Sequence, residues 1–221
     1  LLVGSGFEAY TYLEPAQSVV GDFFDIRIID ENRLGFAIGD VSGKGIPAAI
    51  FVHGVFTLLR QSLQSGHPPS YCFEQIDGMH RNDAGVFVTL FYGILDLDSG
   101  EITYANAGHV PPLLLGSEGV GVIERADNLP LCIVRQPRYV EKTLRLKPGE
   151  SLLLCTDGVI EAKNTRNEFF GLTGLVRTAG RLRHAAVHDL ADALVSEVSE
   201  FSLGEEPHDD LTLLVLRWTG R

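Results

Sequence analysis

Residues 39–49 read GDVSGKGIPAA, and this stretch indicates the passage from a strand to a helix. The short apolar run at residues 34–38 precedes it, as is typical of a buried strand. Pro47 stands where a helix would begin, because its fixed φ suits the first helical turn. The pattern predicts an amphipathic helix up to about Leu63, since apolar residues recur at spacings of three and four at Phe51, Val55, Leu58, Leu59 and Leu63.

Strand-forming segments dominate the rest of the chain. Those at residues 7–13, 23–29 and 34–38 are spaced like a meander of neighbouring strands. A hairpin is expected at residues 86–105, because Asp98-Ser99-Gly100 provides turn chemistry between two strand-like runs. The remaining patterns predict strands at residues 111–115, 120–123, 139–146, 151–155 and 211–216, and helices at residues 71–80 and 185–201.

Helices are thus nested in a strand-rich frame instead of alternating with strands. This order predicts an α+β fold in which two mostly antiparallel sheets pack face to face and helices cover their outer faces. No repeat, low-complexity tract or linker divides the sequence, so we expect residues 1–221 to form a single domain. The abrupt apolar beginning, Leu1-Leu2, favours a domain cut from a longer protein.

The composition argues against several classes of function. The chain has 18 Lys and Arg against 29 Asp and Glu, a net charge of −11, whereas nucleic acids and anionic membranes attract clustered basic residues. No apolar run approaches the roughly 18 residues of a membrane span, and the first residues do not resemble a signal peptide. The cysteines, Cys72, Cys132 and Cys155, form no CxxC pair, which favours a reducing, cytoplasmic location and gives no zinc signature.

Acidic sites recur at the ends of apolar strands, each next to Gly or to a second Asp. Hard cations such as Mg²⁺ and Mn²⁺ prefer carboxylate, carbonyl and water oxygens. Taken singly, such an Asp is more often a turn residue or a helix N-cap. The spacing alone therefore leaves a metal site and a set of ordinary turns about equally favoured for Gly21-Asp22, Gly39-Asp40, Asp157-Gly158 and Asp209-Asp210.

Residues 39–49, together with VGDFFD at residues 20–25, resemble the signature of bacterial phosphatases related to stage II sporulation protein E. That family belongs to the metal-dependent protein phosphatase 2C superfamily. The similarity covers essentially the whole chain, because it continues in order through FVTLFYGILD at 87–96, TYANAGHVPPLLL at 103–115, LPLC at 129–132, LLLCTDGVIEAKN at 152–164 and HDDLTLLVLR at 208–217.

The resemblance implies a four-layer α-β-β-α sandwich with two divalent cations, Mn²⁺ or Mg²⁺, at one end of the sheets. Asp40 would bridge both ions, and the carbonyl of Val41 would bind one of them. Asp22 would hold that same ion, directly or through water. Asp157 and Asp209 would hold the other ion. A hydroxide bound between the ions would then attack phosphorus directly, without a covalent phosphoenzyme.

Asp209 is preferred to Asp210, because the superfamily's ligand is the first residue of this acidic pair. Eukaryotic relatives place a histidine as general acid two residues after the bridging aspartate, where this chain has Ser42. A metal-bound water and His109 remain candidates for protonating the leaving group, although a turn-capping role for His109 is favoured over catalysis.

Other positions near these motifs are left open. The family's usual Gly-Gly-Asp is Val20-Gly21-Asp22 here, and Val20 has less backbone freedom than Gly. Lys44 either contacts the substrate phosphate or is a solvated side chain. Asp25 either supports Asp22 or lies at the surface. Cys155 is expected in the core.

Two functions compete. The first is an active phosphoserine/phosphothreonine phosphatase acting on a regulatory phosphoprotein of the anti-sigma-factor-antagonist type, in bacterial stress-response signalling. The resemblance implies an upstream sensor or receiver domain and allows a homodimer. Residues 47–80 are either a movable switch or a rigid outer layer that only covers the sheet, and the sequence favours the two about equally. The second is a weak or inactive phosphatase-like adaptor or output module. Retention of all four aspartates favours catalysis, because converging carboxylates repel one another without cations.

Overall fold

The computed structural model describes residues 1–16, 20–43, 46–79, 85–124, 128–134 and 138–220. The strands in these ranges are β1 Leu2–Gly4, β2 Phe7–Glu14, β3 Asp22–Ile28, β4 Arg33–Val41, β5 Val88–Asp96, β6 Glu101–Ala107, β7 Leu113–Gly116, β8 Gly119–Val122, β9 Lys142–Arg145, β10 Ser151–Cys155 and β11 Leu211–Trp218. The helices are α1 Ile46–Ser65, α2 Pro69–Asp77, α3 Asp157–Ile160, α4 Gly171–Leu182 and α5 Val187–Phe201.

The chain divides into two compact units, each with its own antiparallel sheet. The sheet orders are β1-β2-β11-β10-β7-β8 and β3-β4-β5-β6-β9. Helices accompany both sheets, so the expected α+β class with antiparallel sheets is confirmed. We call them the terminal unit (Leu1–Ser18, Val110–Ile123 and Lys147–Arg221) and the central unit (Val19–His109 and Glu124–Leu146).

Helix α1 of the central unit confirms the amphipathic pattern read from the sequence. Val55, Leu59 and Leu63 follow that pattern and are fully buried in the core of this unit. Helix α2 begins at Pro69 and ends at Asp77, where the backbone N–H of Gly78 donates to the Glu74 carbonyl. The helix expected at residues 71–80 is therefore confirmed but begins earlier, and residue 80 lies outside the described residues.

The β5–β6 hairpin of the central unit is also confirmed. Its turn ends at Gly100, whose φ of 72° lies in the left-handed region that favours glycine. The N–H of Gly100 donates to the Asp96 carbonyl at 2.9 Å, which closes the turn. The hairpin carries the long strand β5 alongside β4, and it thereby fixes the position of the strand that contains Asp40.

In the terminal unit, β11 is central to the sheet. It pairs with β2 over eight register positions and with β10 on its other side. Helix α5 covers this sheet through buried Leu190, Leu194 and Val198. The strand expected at residues 151–155 is confirmed as β10, and the one expected at 211–216 extends to Trp218.

The expected meander of the first three strands is wrong. β2 pairs with β1 and β11 in the terminal unit, whereas β3 and β4 pair with each other in the central unit. Spacing along the chain could not predict this pairing, because β11, the long partner of β2, lies near the other end of the sequence.

Among the residues that the structure describes, no helix has both the length and the apolar character needed to cross a bilayer.

Candidate functional site

Asp22 and Asp40 lie together in the central unit. Asp22 begins β3, Asp40 is the penultimate residue of β4, and the two are direct partners in the antiparallel register. Asp22 is only 5% exposed, so its carboxylate is largely withdrawn from water. Like charges directly opposite each other destabilise a strand pair. A cation beside the two carboxylates would attract both and so offset their mutual repulsion.

Gly21 lies close to two oxygen atoms that leave no room for a side chain. A Cβ built at Gly21 would lie 2.6 Å from Oδ1 of Asp40 and 2.9 Å from the carbonyl oxygen of Val41. The N–H of Val41 donates to the Gly21 carbonyl at 3.2 Å, which holds the two segments in place. Carboxylate and carbonyl oxygens that lie close together in this way are the hard donors that Mg²⁺ and Mn²⁺ prefer. This local geometry fits a divalent cation.

Asp157 and Asp209 form the corresponding pair in the terminal unit. Asp157 begins α3 directly after the buried strand β10, and its Oδ1 is buried with no hydrogen-bond partner among the described residues. Burial raises the pKa of the Asp157 carboxyl, and the nearby charges of Asp209 and then Glu161 raise it further. An unsatisfied buried carboxylate oxygen is the kind of atom that a cation would satisfy.

Gly158 is required next to Asp157. A Cβ at Gly158 would overlap the carbonyl oxygen of Asp210, so only glycine allows α3 to approach the backbone before β11. This close approach brings the Asp157 carboxyl near the charge of Asp209, which raises the pKa of Asp157.

The adjacent residues Asp209 and Asp210 have different environments. Asp210 is 4% exposed, and its Oδ1 accepts a hydrogen bond from the N–H of Ala16 at 2.8 Å, which ties the end of β2 to the start of β11. Asp209 is exposed, and its Oδ1 accepts the N–H of Asp210 at 2.9 Å. The accessible carboxylate is therefore that of Asp209, whereas Asp210 has a structural contact.

Each unit thus contributes a pair of the aspartates singled out from the sequence. In neither unit do three or more described His, Cys, Asp or Glu side chains already form a cluster able to hold a metal ion. The candidate donors within a unit are two carboxylates, and in the central unit also the Val41 carbonyl.

Ser42 and His109 have structural contacts beside β4. Oγ of Ser42 accepts the N–H of Phe87 at 2.8 Å. Nδ1 of His109 lies 3.0 Å from Oγ1 of Thr89, the cross-strand partner of Asp40. The turn at His109 is capped by Asn106, whose side chain bonds both the N–H and the carbonyl of His109. The turn-capping side chain is therefore Asn106, and the His109 ring is directed to β5.

Asp25 is not a surface residue. It is 9% exposed, and its Oδ2 accepts hydrogen bonds from Nε of Arg27 and from Nε of Arg60, both at 3.1 Å. Arg60 lies on α1, so this contact joins the helix to the strand that begins at Asp22. Sequence reasoning missed Arg60, because nothing local links it to a residue 35 positions earlier. Cys155 is buried as expected, and Lys44 lies outside the described residues.

Comparison with known proteins identifies the family. The model of Stage II sporulation protein E (SpoIIE) matches residues 30–219. Phosphoserine phosphatase RsbU of Bacillus subtilis is 29% identical over 210 residues, which are 92% of this chain and 61% of RsbU. This chain therefore spans less than two thirds of that relative's length.

Solved structures share the fold. The structure of the RsbU and RsbW domains of Rv1364c from Mycobacterium tuberculosis has a TM-score of 0.83 and 27% identity, over 97% of this chain and 60% of that one. The PP2C phosphatase domain of SpoIIE from Bacillus subtilis, with a fragment of its regulatory domain, has a TM-score of 0.80 and 22% identity, over 97% and 64%. The chain belongs to the Stage II sporulation protein E family and has the PP2C-type fold.

Proposed function

We propose that this domain hydrolyses phosphoserine or phosphothreonine on a regulatory phosphoprotein, using two divalent cations, Mn²⁺ or Mg²⁺. Asp22, Asp40 and the Val41 carbonyl are the proposed ligands from the central unit, and Asp157 and Asp209 are those from the terminal unit. The observation that carries the proposal is the convergence of Oδ1 of Asp40 and the Val41 carbonyl oxygen beside Gly21, where a Cβ would overlap both oxygens. The unsatisfied Oδ1 of Asp157 supports it independently.

In this proposal the chain's own residues position the carboxylates that hold the cations and supply their negative charge. When bound, a pair of such ions activates water for attack on phosphorus and neutralises charge on the phosphoryl oxygens. The antiparallel register fixes Asp22 opposite Asp40, so these carboxylates need little reorganisation to bind a cation. Asp157 is held partly buried at the start of α3, where a cation would stabilise its ionised form.

The nearby hydroxyl and thiol groups are poorly placed as nucleophiles. Oγ of Ser42 already accepts a hydrogen bond from the N–H of Phe87. Cys155 is 2% exposed at the end of β10. A mechanism without a covalent phosphoenzyme is therefore consistent with the surroundings of both residues.

The substrate and cellular context extend this proposal. RsbU is named as a phosphoserine phosphatase, and the Rv1364c structure contains an RsbU and an RsbW domain. By analogy we assign this domain a phosphorylated regulator of the anti-sigma-factor-antagonist type as substrate. We also place it in the cytoplasm, as the output domain of a longer protein with an upstream sensor or receiver domain, and able to form a homodimer.

The test is release of phosphate from a phosphoserine protein by metal-stripped enzyme with and without Mn²⁺. Wild type should turn over only with the metal, and Asp40→Asn should lose more than about tenfold in rate, or about 1.4 kcal/mol of transition-state stabilisation. Asp98→Asn, in the exposed β5–β6 turn, is the matched control and should keep wild-type activity. Turnover by Asp40→Asn above a tenth of wild type would refute the role of Asp40, and phosphoprotein binding without any phosphate release would indicate an adaptor.

A further inference from the structure

The terminal unit contains a cavity of about 300 Å³ next to one of the proposed cation ligands. Its lining comes from the end of α5, the loop before β11 and the segment at and after α3. Asp209 is one of the lining residues, so an occupant of the cavity would lie beside the exposed carboxylate of the candidate site. A volume at the lower end of ligand pockets suits one side chain better than a whole cofactor.

The lining combines an apolar part with an acidic part. Val198 and Leu211 supply apolar surface, and Val198 is buried. Besides Asp209, the lining carboxylates are Glu14, Glu161, Glu205 and Glu206. This combination suits a side chain with an apolar stem and a cationic end, because such side chains bury the stem and keep the charge at the rim.

The basic groups in the lining do not balance this charge. The only ammonium among the lining residues belongs to Lys163, and its Nζ lies 5.0 Å from the ring centroid of Phe169, where the aromatic face already attracts it. His208 contributes a single imidazole. The carboxylates of the cavity therefore outnumber its cations, and a cationic occupant would be attracted.

One hydrogen bond orients a carboxylate of the cavity wall, and one buried hydroxyl of the wall has no partner among the described residues. Oε2 of Glu14 accepts the hydroxyl of Tyr12 at 2.8 Å, and this bond is the main reason that the pKa of Tyr12 is raised to about 12. The Glu14 carboxylate is thereby held in position. Oγ of Ser202, another lining residue, is buried and has no hydrogen-bond partner in the described part of the chain.

We propose that this cavity binds an arginine or lysine side chain of the substrate protein close to its phosphorylated residue. The aliphatic stem lies against Val198 and Leu211, and the cationic end meets the carboxylates of Glu205 and Glu206. This inference rests on the proposed function, since it names a substrate feature recognised beside the same site. It goes further by assigning selectivity to residues that do not bind the cations.

The experiment uses nine-residue peptides with a central phosphoserine, in which one arginine is placed at each other position in turn. The reference peptide has glutamine there. Two quantities are measured: kcat/KM for phosphate release with Mn²⁺, and binding by fluorescence anisotropy in chelator, where catalysis plays no part. We expect arginine at one or two neighbouring positions to improve both quantities by about fivefold, the upper range for exposed ion pairs.

Variants that change the charge of the cavity test whether it causes the preference for arginine-containing peptides. Glu205 and Glu206 are exposed, so the double variant E205Q/E206Q should remain folded and should bring the arginine-to-glutamine ratio close to one. The variant E205K/E206K should reverse the preference towards a glutamate-containing peptide. E118Q, in the exposed β7–β8 turn, is the matched control and should keep the wild-type ratio.

The outcomes separate this inference from the proposed function. Hydrolysis of all peptides without preference for arginine at any position would overturn the inference and leave the phosphatase assignment standing. An arginine preference in binding that E205Q/E206Q removes, without hydrolysis of any peptide, would support the cavity and refute the activity. A preference that E205Q/E206Q retains would also overturn the inference, because recognition would then lie elsewhere.

Discussion

Asp22 on β3 and Asp40 on β4 are direct cross-strand partners in the antiparallel sheet of the central unit. The strand register, rather than a flexible loop, determines how these carboxylates face each other. Gly21 lies beside Oδ1 of Asp40, and the Cβ of any larger residue would overlap that oxygen. The predictions below follow from this geometry and from the equivalent pair, Asp157 and Asp209, in the terminal unit.

Gly21→Ala should block cation binding without unfolding the domain. The added methyl would lie 2.6 Å from Oδ1 of Asp40 and 2.9 Å from the Val41 oxygen, which is too close, so both proposed ligand oxygens would have to move. Mn²⁺-dependent phosphate release should fall at least about tenfold, a loss of about 1.4 kcal/mol. The control is Gly121→Ala, whose Cβ meets its nearest neighbour, Cβ of Leu114, at 4.0 Å. Equal activity of the two variants would argue against a cation at Gly21.

Divalent cations should stabilise the folded domain. A ligand that binds only the native state, present at 100 times its Kd, adds about 2.7 kcal/mol. For a chain of this size that corresponds to a Tm increase of roughly 5–10 °C, measured after removing metal with chelator and adding millimolar Mn²⁺. An unchanged Tm would count strongly against the proposed site.

Asp157→Asn should stabilise the metal-free domain and abolish its stabilisation by Mn²⁺. Because burial and Asp209 raise the pKa of Asp157, its ionised form is disfavoured in the metal-free fold at neutral pH. The neutral amide removes that unfavourable charge, so the metal-free Tm should rise. The Mn²⁺-dependent increase should be lost. A variant that keeps the full metal response would exclude Asp157 as a ligand.

Substitutions at Asp209 and Asp210 should have separable effects. Asp210→Ala removes the buried acceptor of the Ala16 N–H and should lower the free energy of unfolding by about 1–3 kcal/mol, while the Tm increase with Mn²⁺ persists. Asp209→Ala changes an exposed residue, so its metal-free stability should stay within about 0.5 kcal/mol of wild type. Its Mn²⁺ response should disappear. The reverse pattern would assign the ligand to Asp210.

The link between α1 and β3 tests whether residues 47–80 act as a switch. Arg60→Gln removes one of the two guanidinium groups bonded to buried Asp25. Amide exchange in α1 should then become about fivefold faster, as for a loss of about 1 kcal/mol in local stability. Gln64→Ala, at an exposed position of the same helix, is the control. Uniformly slow exchange in every variant, with and without Mn²⁺, would instead indicate a rigid outer layer.

Local sequence patterns were sufficient for many of the elements. The spacing of apolar residues after Pro47 identified α1, and the run at residues 151–155 identified β10, because each pattern reflects burial of one face or of a whole strand. Helix α4 was missed, since Gly171, Gly174 and Gly180 lower its helical propensity. Its stability comes from tertiary packing, in which Gly174, Leu175 and Ala179 are buried.

The sequence by itself determined the fold class, the family and the four aspartates, because strand ends, turn residues and ordered motifs are local signals. Only the tertiary structure decided how those aspartates are paired and which of them are exposed. It opposed Asp22 to Asp40 by strand register, and it exposed Asp209 while burying Asp210. Two adjacent aspartates are chemically identical in sequence. They differ here because the N–H of Ala16, nearly two hundred residues away, bonds only to the side chain of Asp210.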